Sequence, residues 1–176
     1  MKTILKEING IEPLTPERLA NYLRIDDFDK NEMIALIKQA RENVESYTGI
    51  DFVMKTYNLY FNALVDKFVV PFQNVQEMKS VFLNKTDGTS EEITSLFKFY
   101  KASQLVVQKE SVDTSLMEEY DGIVFEFLVG VSTDKIPEKI IGAIQWWAVN
   151  TYFKIQPTEW YDAFKNLLRD ARVVKV

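Results

Sequence analysis

The feature that most constrains this chain is a change of hydrophobic period at Gly49. In the stretch "DKNEMIALIKQARENVESYTG", Met33, Leu36, Ile37, Ala40, Val44 and Tyr47 recur at three- and four-residue steps, the stripe of an amphipathic helix. Asp29 stands where an N-cap belongs, with Glu32 three residues later in the pattern of a capping box. Gly49 supplies the left-handed residue at which many helices stop. Directly afterwards the period falls to two: Lys55, Tyr57, Leu59 and Phe61 alternate with Thr56, Asn58 and Tyr60, as in a strand. One segment cannot satisfy both periods, so a helix must hand over to a sheet within "GIDF".

The same switch runs in reverse later in the chain. Further strand patterns follow in "KFVVPF", "EMKSVFLNKTDGTSEEI", "LFKFYKA", "QLVVQKE" and "GIVFEFLVG". The third turns at Asp87-Gly88, a dipeptide suited to tight hairpins. The last, through Val124 and Phe125, is apolar enough for a buried strand. Connections this short cannot hold helical crossovers, so the sheet is expected to be mainly antiparallel. Helix period returns at "IPEKIIGAIQWWAVNTYF", where Pro137 suits a first turn and Ile140, Ile141, Ile144, Trp147, Ala148 and Thr151 form a broad face. Pro157 breaks the pattern, and "TEWYDAFKNLLRDARVV" gives a final helix with Trp160, Phe164, Leu167 and Leu168 on one side. At the other end, "LTPERLANYLRI" gives a short helix capped by Thr15, with Pro16 at its first position.

The expected fold is α+β: two helices at each end flanking a small, mainly antiparallel sheet. Residues 1–176 read as a single domain, with helical pairs over 14–49 and 137–172 and a β-rich insertion over 51–130. The leader before Pro13 and the tail after Asp170 lack packing signals and are expected to be the segments that reorder on assembly.

Composition removes many functions. The chain has no cysteine and no histidine. That excludes disulfides, thiolate catalysis, Cys/His zinc sites and every imidazole triad. A net charge of −5 argues against binding DNA mainly by neutralising phosphates. No apolar run approaches the roughly 18 to 20 residues of a membrane span, and the N-terminal stretch does not resemble a signal peptide. No phosphate-binding glycine loop or nucleophile elbow occurs. No cofactor is expected.

Three stretches carry residues capable of chemistry. Asp27, Asp29 and Asn31 open like a calcium loop, but Glu32 stands where the loop needs Gly, and Lys38 where it needs Glu. A capping loop is the better reading, and no metal is expected. The acidic run Glu110, Asp113, Glu118, Glu119 and Asp121 suits a charged loop, with a metal-dependent enzyme as the rival. Trp146, Trp147, Tyr152, Phe153, Trp160, Tyr161 and Phe164 crowd the C-terminal quarter. Adjacent Trp146 and Trp147 point about 100° apart on a helix, which makes burial of both in one small core difficult. One of them is therefore a candidate for a partner subunit, as exposed aromatics are enriched at interfaces, while core packing accounts for the rest.

The order of segments resembles the head–tail connector family of tailed bacteriophages, also called head-completion or adaptor proteins. The resemblance rests on a short helix ending in Leu23-Arg24, an acidic loop (Asp26, Asp27, Asp29), and a long helix with Ala40-Arg41 that closes as Glu45-x-Tyr47-Thr48-Gly49. A second block, with Pro137, Ala143 and Tyr152, is similar to the family's later helix. The intervening strands, closing just before Gly130, match a subgroup with a β-rich insertion. After Tyr152 the sequence "FKIQPTEWYDAF" departs from the family's acidic and Arg-rich continuation.

The resemblance implies a structural virion protein, not an enzyme. It would join the portal vertex of the capsid to the tail as a homo-oligomeric ring of about a dozen copies. DNA would pass through that ring without sequence-specific binding. Its partners would be the portal protein and a tail or neck protein, with no membrane, in the virion after assembly in the host cytoplasm. A ring closed only on the portal leaves the isolated chain monomeric. Another neck or tail-terminator module is the nearest alternative. On this reading Arg41, Glu45, Trp146, Trp147 and Trp160 are the interface candidates. Arg41 and Glu45 are taken as exposed positions whose charge reversal weakens assembly while the monomer stays folded.

Overall fold

A computed structural model describes residues 1–109 and 120–171. The chain forms two compact units and crosses between them three times. The first consists of Met1–Asn9 and Met54–Gly130, the second of Gly10–Val53 and Val131–Val176.

The first unit holds two antiparallel sheets. Strands β1 (Lys2–Ile8), β2 (Lys55–Phe61), β4 (Val75–Lys85), β5 (Ser90–Glu92) and β8 (Tyr120–Val129) make a five-stranded sheet in the order β1-β2-β8-β4-β5. Strands β3 (Lys67–Val69), β6 (Phe97–Tyr100) and β7 (Leu105–Gln108) make a three-stranded sheet in the order β3-β7-β6. The expected single sheet is thus two, and the expected leader is an edge strand. Residues Lys2 to Ile8 pair antiparallel with Tyr60 to Lys55, and their side chains are exposed, so the sequence shows no core pattern there.

Phenylalanines join the two sheets. Phe125, at the centre of β8, lies 4.7 Å from Phe68, 5.4 Å from Phe97 and 5.8 Å from Phe61, ring centre to ring centre. Phe127 adds Phe99 at 5.6 Å. Tilted and edge-on contacts at these distances suit the ring quadrupoles, and the rings fill the layer between the sheets. Strand β8 is central and paired on both sides, which is why "IVFEF" reads as a buried run. The expected hairpin at Asp87-Gly88 is present: Gly88 has φ +86° and donates its N–H to the Lys85 carbonyl at 3.0 Å.

The second unit is helical: α1 (Pro16–Leu23), α2 (Lys30–Thr48), α3 (Glu138–Tyr152) and α4 (Pro157–Leu168). Thr15 caps α1, its hydroxyl accepting the Arg18 N–H at 3.1 Å. Asp29 caps α2, its carboxylate accepting the Asn31 N–H at 2.7 Å. Gly49 ends α2 at φ 75°, as its position predicts. Pro137 stands one residue before α3 instead of within its first turn, and its carbonyl accepts the N–H groups of Ile140 and Ile141. The core is the predicted stripe of α2 (Met33, Ile37, Ala40, Val44) packed with Ile140, Ile141, Ile144 and Ala148 of α3 and Trp160, Phe164 and Leu168 of α4.

Candidate assembly surfaces

Among the predicted interface residues, Arg41 and Glu45 require correction. Arg41 has 0% exposure and Glu45 8%; they sit on the inward side of α2. Arg41 Nε donates to Glu12 Oε2 at 2.8 Å and Nη1 to Glu45 Oε2 at 2.6 Å, while Nη2 lies 3.6 Å from Glu42 Oε1. The second Glu45 oxygen accepts the Phe52 N–H at 2.8 Å. One guanidinium and one carboxylate thus tie together the chain before α1, the body of α2 and the exit after Gly49. Burial pulls the Arg41 pKa down, but the Glu12 hydrogen bond and the three carboxylates outweigh it and hold it above the ordinary value. Reversing either charge would leave like charges buried together, so these two residues bind the helical unit internally. The conspicuous sequence pair is conspicuous for folding.

Trp160 is likewise buried, in the core of its own unit. Its ring lies 6.4 Å from Trp146 and 4.7 Å from Trp147, the second contact edge-on. This arrangement accommodates the adjacent tryptophans: α4 brings one ring against both, and its Phe164 lies 4.8 Å from Trp147 as well. Trp160 Nε1 donates to the Ile155 carbonyl at 3.2 Å, so its one polar atom is satisfied. Trp146 and Trp147 are half-buried. They retain some open surface at the α3–α4 corner, where Phe153 and Tyr161 are exposed. The sequence did not reveal that Trp160 closes the gap, because this requires α4 to fold back after Pro157.

Of the acidic run, residues 110–119 lie outside the described residues, and Asp121 is exposed. Among the described residues, no three Asp, Glu, His or Cys side chains gather in a metal-binding group. A shallow cleft of about 240 Å³ on the five-stranded sheet is lined by Asn58, Tyr60, Phe82, Asn84, Ser90 and Val124. It offers amides and hydroxyls but no carboxylate or ammonium, and so no acid–base pair. No helix among the described residues is long and apolar enough to cross a membrane.

The three-stranded sheet holds a surface that sequence reasoning missed. Phe68, Phe97 and Val106 point inward and are buried. Pairing places Lys67, Val107 and Lys98 in one outward row and Val69, Leu105 and Tyr100 in the next. Val69 is 66% exposed and Tyr100 44%. The available signal was "LVV", which is apolar on both faces of its strand.

No family model matches this sequence, and no curated protein matches it either. Solved structures do. A chain in the neck of an empty gene transfer agent particle, computed with C6 symmetry, superposes with a TM-score of 0.71 at 14% identity, covering 100% of this chain and 97% of that one. A chain in the virion of the native gene transfer agent particle gives 0.72 at 15% identity, again over 100% and 97%. A chain in the neck of the native particle, computed with C12 symmetry, gives 0.63 at 15% identity over 97% of each. At such identities the likeness is one of fold, and it runs the full length of the chain. The connector resemblance read from the sequence and the fold agree: from end to end, this chain has the fold of a chain found in the neck of a phage-like gene transfer agent particle.

Proposed function

We propose that this protein is a structural component of a phage-type neck, assembling as a ring that joins the portal vertex to the tail. The observation that carries this reading is the full-length fold match to chains from necks solved with sixfold and twelvefold symmetry. The segment order shared with head–tail connectors supports it from the sequence side. So does the chemistry of the charged pair: Arg41 and Glu45 are spent on holding the fold together. A closed ring needs a heterologous contact, with two different patches on every copy. Two units of different character can supply them. The protein would work in the virion at the head–tail junction after assembly in the host cytoplasm, with DNA threading the ring without base-specific contact.

The test is electron microscopy of the chain mixed with its cognate portal. A second ring stacked on the portal is the expected image. Bare portals beside unbound monomers at saturating concentration would overturn the reading.

A further inference from the structure

We propose that the outward face of the three-stranded sheet is the surface by which each copy grips the next, and that its occupant is the acidic α1–α2 corner of a second copy. The inference deepens the ring reading and rests on it.

The face has two rows of three residues. Lys67, Val107 and Lys98 form one; Val69, Leu105 and Tyr100 form the other. It contains three aliphatic side chains, a tyrosine, two lysines and no acid. Lys98 Nζ lies 4.9 Å from the Tyr100 ring centre, so the cation is held over the aromatic instead of paired with a carboxylate. Neither Lys67 nor Lys98 has an ion pair among the described residues, whereas Lys6, Lys30, Lys85, Lys139 and Lys165 each have one. Lys101, in the β6–β7 turn, bonds only the Gln76 amide oxygen among the described residues, at 3.4 Å. The outer face of an antiparallel sheet is ordinarily polar. An apolar centre, Val107 and Leu105 of β7, flanked by ammonium groups that have no carboxylate partner among the described residues suits an interface, and the tyrosine beside it is of the kind enriched there.

The matching surface lies in the other unit. The corner made by the end of α1, the connection and the first turn of α2 exposes Asp26, Asp27, Asp29 and Glu32 against Arg24 and Lys30, and Lys30 is tied to Glu17 at 3.3 Å. It also exposes apolar groups: Tyr22 is 62% exposed and Ile34 42%. The two patches thus agree in kind, each apolar with one sign of charge in excess, and they are opposite in sign. They are different surfaces of the same chain, the arrangement a head-to-tail ring needs and a twofold dimer does not. Complementary potentials of this sort select partner and register.

Charge swapping tests the idea. One variant, Lys67→Glu/Lys98→Glu, has two acidic patches; the other, Asp26→Lys/Asp27→Lys, has two basic ones. Each alone should lose association by about tenfold or more, and wild-type association should fall as salt is raised. Mixed one to one, the variants should assemble again, because every contact in an alternating ring is then complementary. Sedimentation velocity at the highest soluble concentration reads this directly. Where the wild type is monomeric alone, the same variants are scored by ring formation on the portal. All the substituted positions are exposed, and circular dichroism checks that each variant is folded.

Variants that assemble like wild type would overturn the interface and leave the ring reading standing. So would a mixture that fails to recover while wild type forms rings. A wild type that makes no ring even on the portal would overturn both. If Lys67→Glu/Lys98→Glu assembles normally but loses retention of duplex DNA, the face belongs to nucleic acid, and the proposal falls.

Discussion

The two units solve the problem of a core in opposite ways. The helical unit buries aliphatic stripes and, among them, a charged centre, with Arg41 fully enclosed and held by Glu12 and Glu45. The sheet unit buries mainly rings and aliphatics, with phenylalanines from four strands meeting at Phe125 and Phe127. One core is specified by partners and geometry, the other by volume and shape. The difference extends to the surface. A helix needs one apolar stripe, and its opposite side is free to carry charge. The small three-stranded sheet has apolar residues on both faces, one of them open.

The largest effect should come from Phe125→Ala. Removing a ring with four aromatic neighbours leaves a cavity that β8 cannot close, and the sheet unit should lose about 4 kcal/mol. All three tryptophans lie in the helical unit, which makes the comparison measurable. Far-ultraviolet circular dichroism should report early loss of strand signal in this variant, while tryptophan fluorescence changes less. Equal shifts in both signals would mean that the units do not differ in the way described.

Next is Arg41→Ala. It strands the Glu45 carboxylate, buried and without its cation, at an expected cost of about 3 kcal/mol in the helical unit. Denaturant unfolding followed by tryptophan fluorescence is the readout. Arg41→Lys should recover little, since one ammonium cannot span Glu12 and Glu45 as the guanidinium fork does. A near-neutral Arg41→Ala would show that the pair is dispensable for the fold.

Gly122→Ala tests the sheet unit at its backbone. Gly122 has φ +151°, and an added Cβ would stand 2.7 Å from the Phe61 carbonyl oxygen, a backbone atom that cannot swing aside. The expected loss is about 2 kcal/mol, again read in the strand signal.

The smallest effect concerns acid. Asp87 accepts from both the hydroxyl and the N–H of Thr89, and these bonds hold its pKa below the ordinary 3.8. A carboxyl lowered in the folded state contributes stability above its unfolded pKa and loses it as pH falls through the folded value. Asp87→Ala should therefore cost the sheet unit a little stability at neutral pH, where the contribution is fully present, and variant and wild type should converge as pH falls below about 3.8. A titration of melting temperature against pH would show it.

What was legible in the sequence follows from the same contrast. The helices were legible because their signals are local: the stripe from Met33 to Tyr47, the cap at Asp29 and the stop at Gly49 each need only a few residues. The hairpin at Asp87-Gly88 was legible for that reason too. Strand β1 was not, because its place depends on pairing Lys2 with Tyr60, and none of its side chains is buried. The division into two sheets depends on contacts such as Phe68 with Phe125, which no short window contains. Arg41 was noticed but misjudged. Lys38, Glu42 and Glu45 around it are charged, and the Glu12 that completes its enclosure lies 29 positions earlier. The tryptophan pair was judged hard to bury because the ring that covers it, Trp160, belongs to the next helix.

The central claim is that this chain is a ring-forming component of a phage-type neck. Cryo-electron microscopy of the intact cognate particle tests it most directly. The expected density is a closed ring between portal and tail into which both units fit, with the three-stranded sheet of each copy against the α1–α2 corner of the next. A neck fully accounted for by other chains, with no density for this one, would contradict the claim.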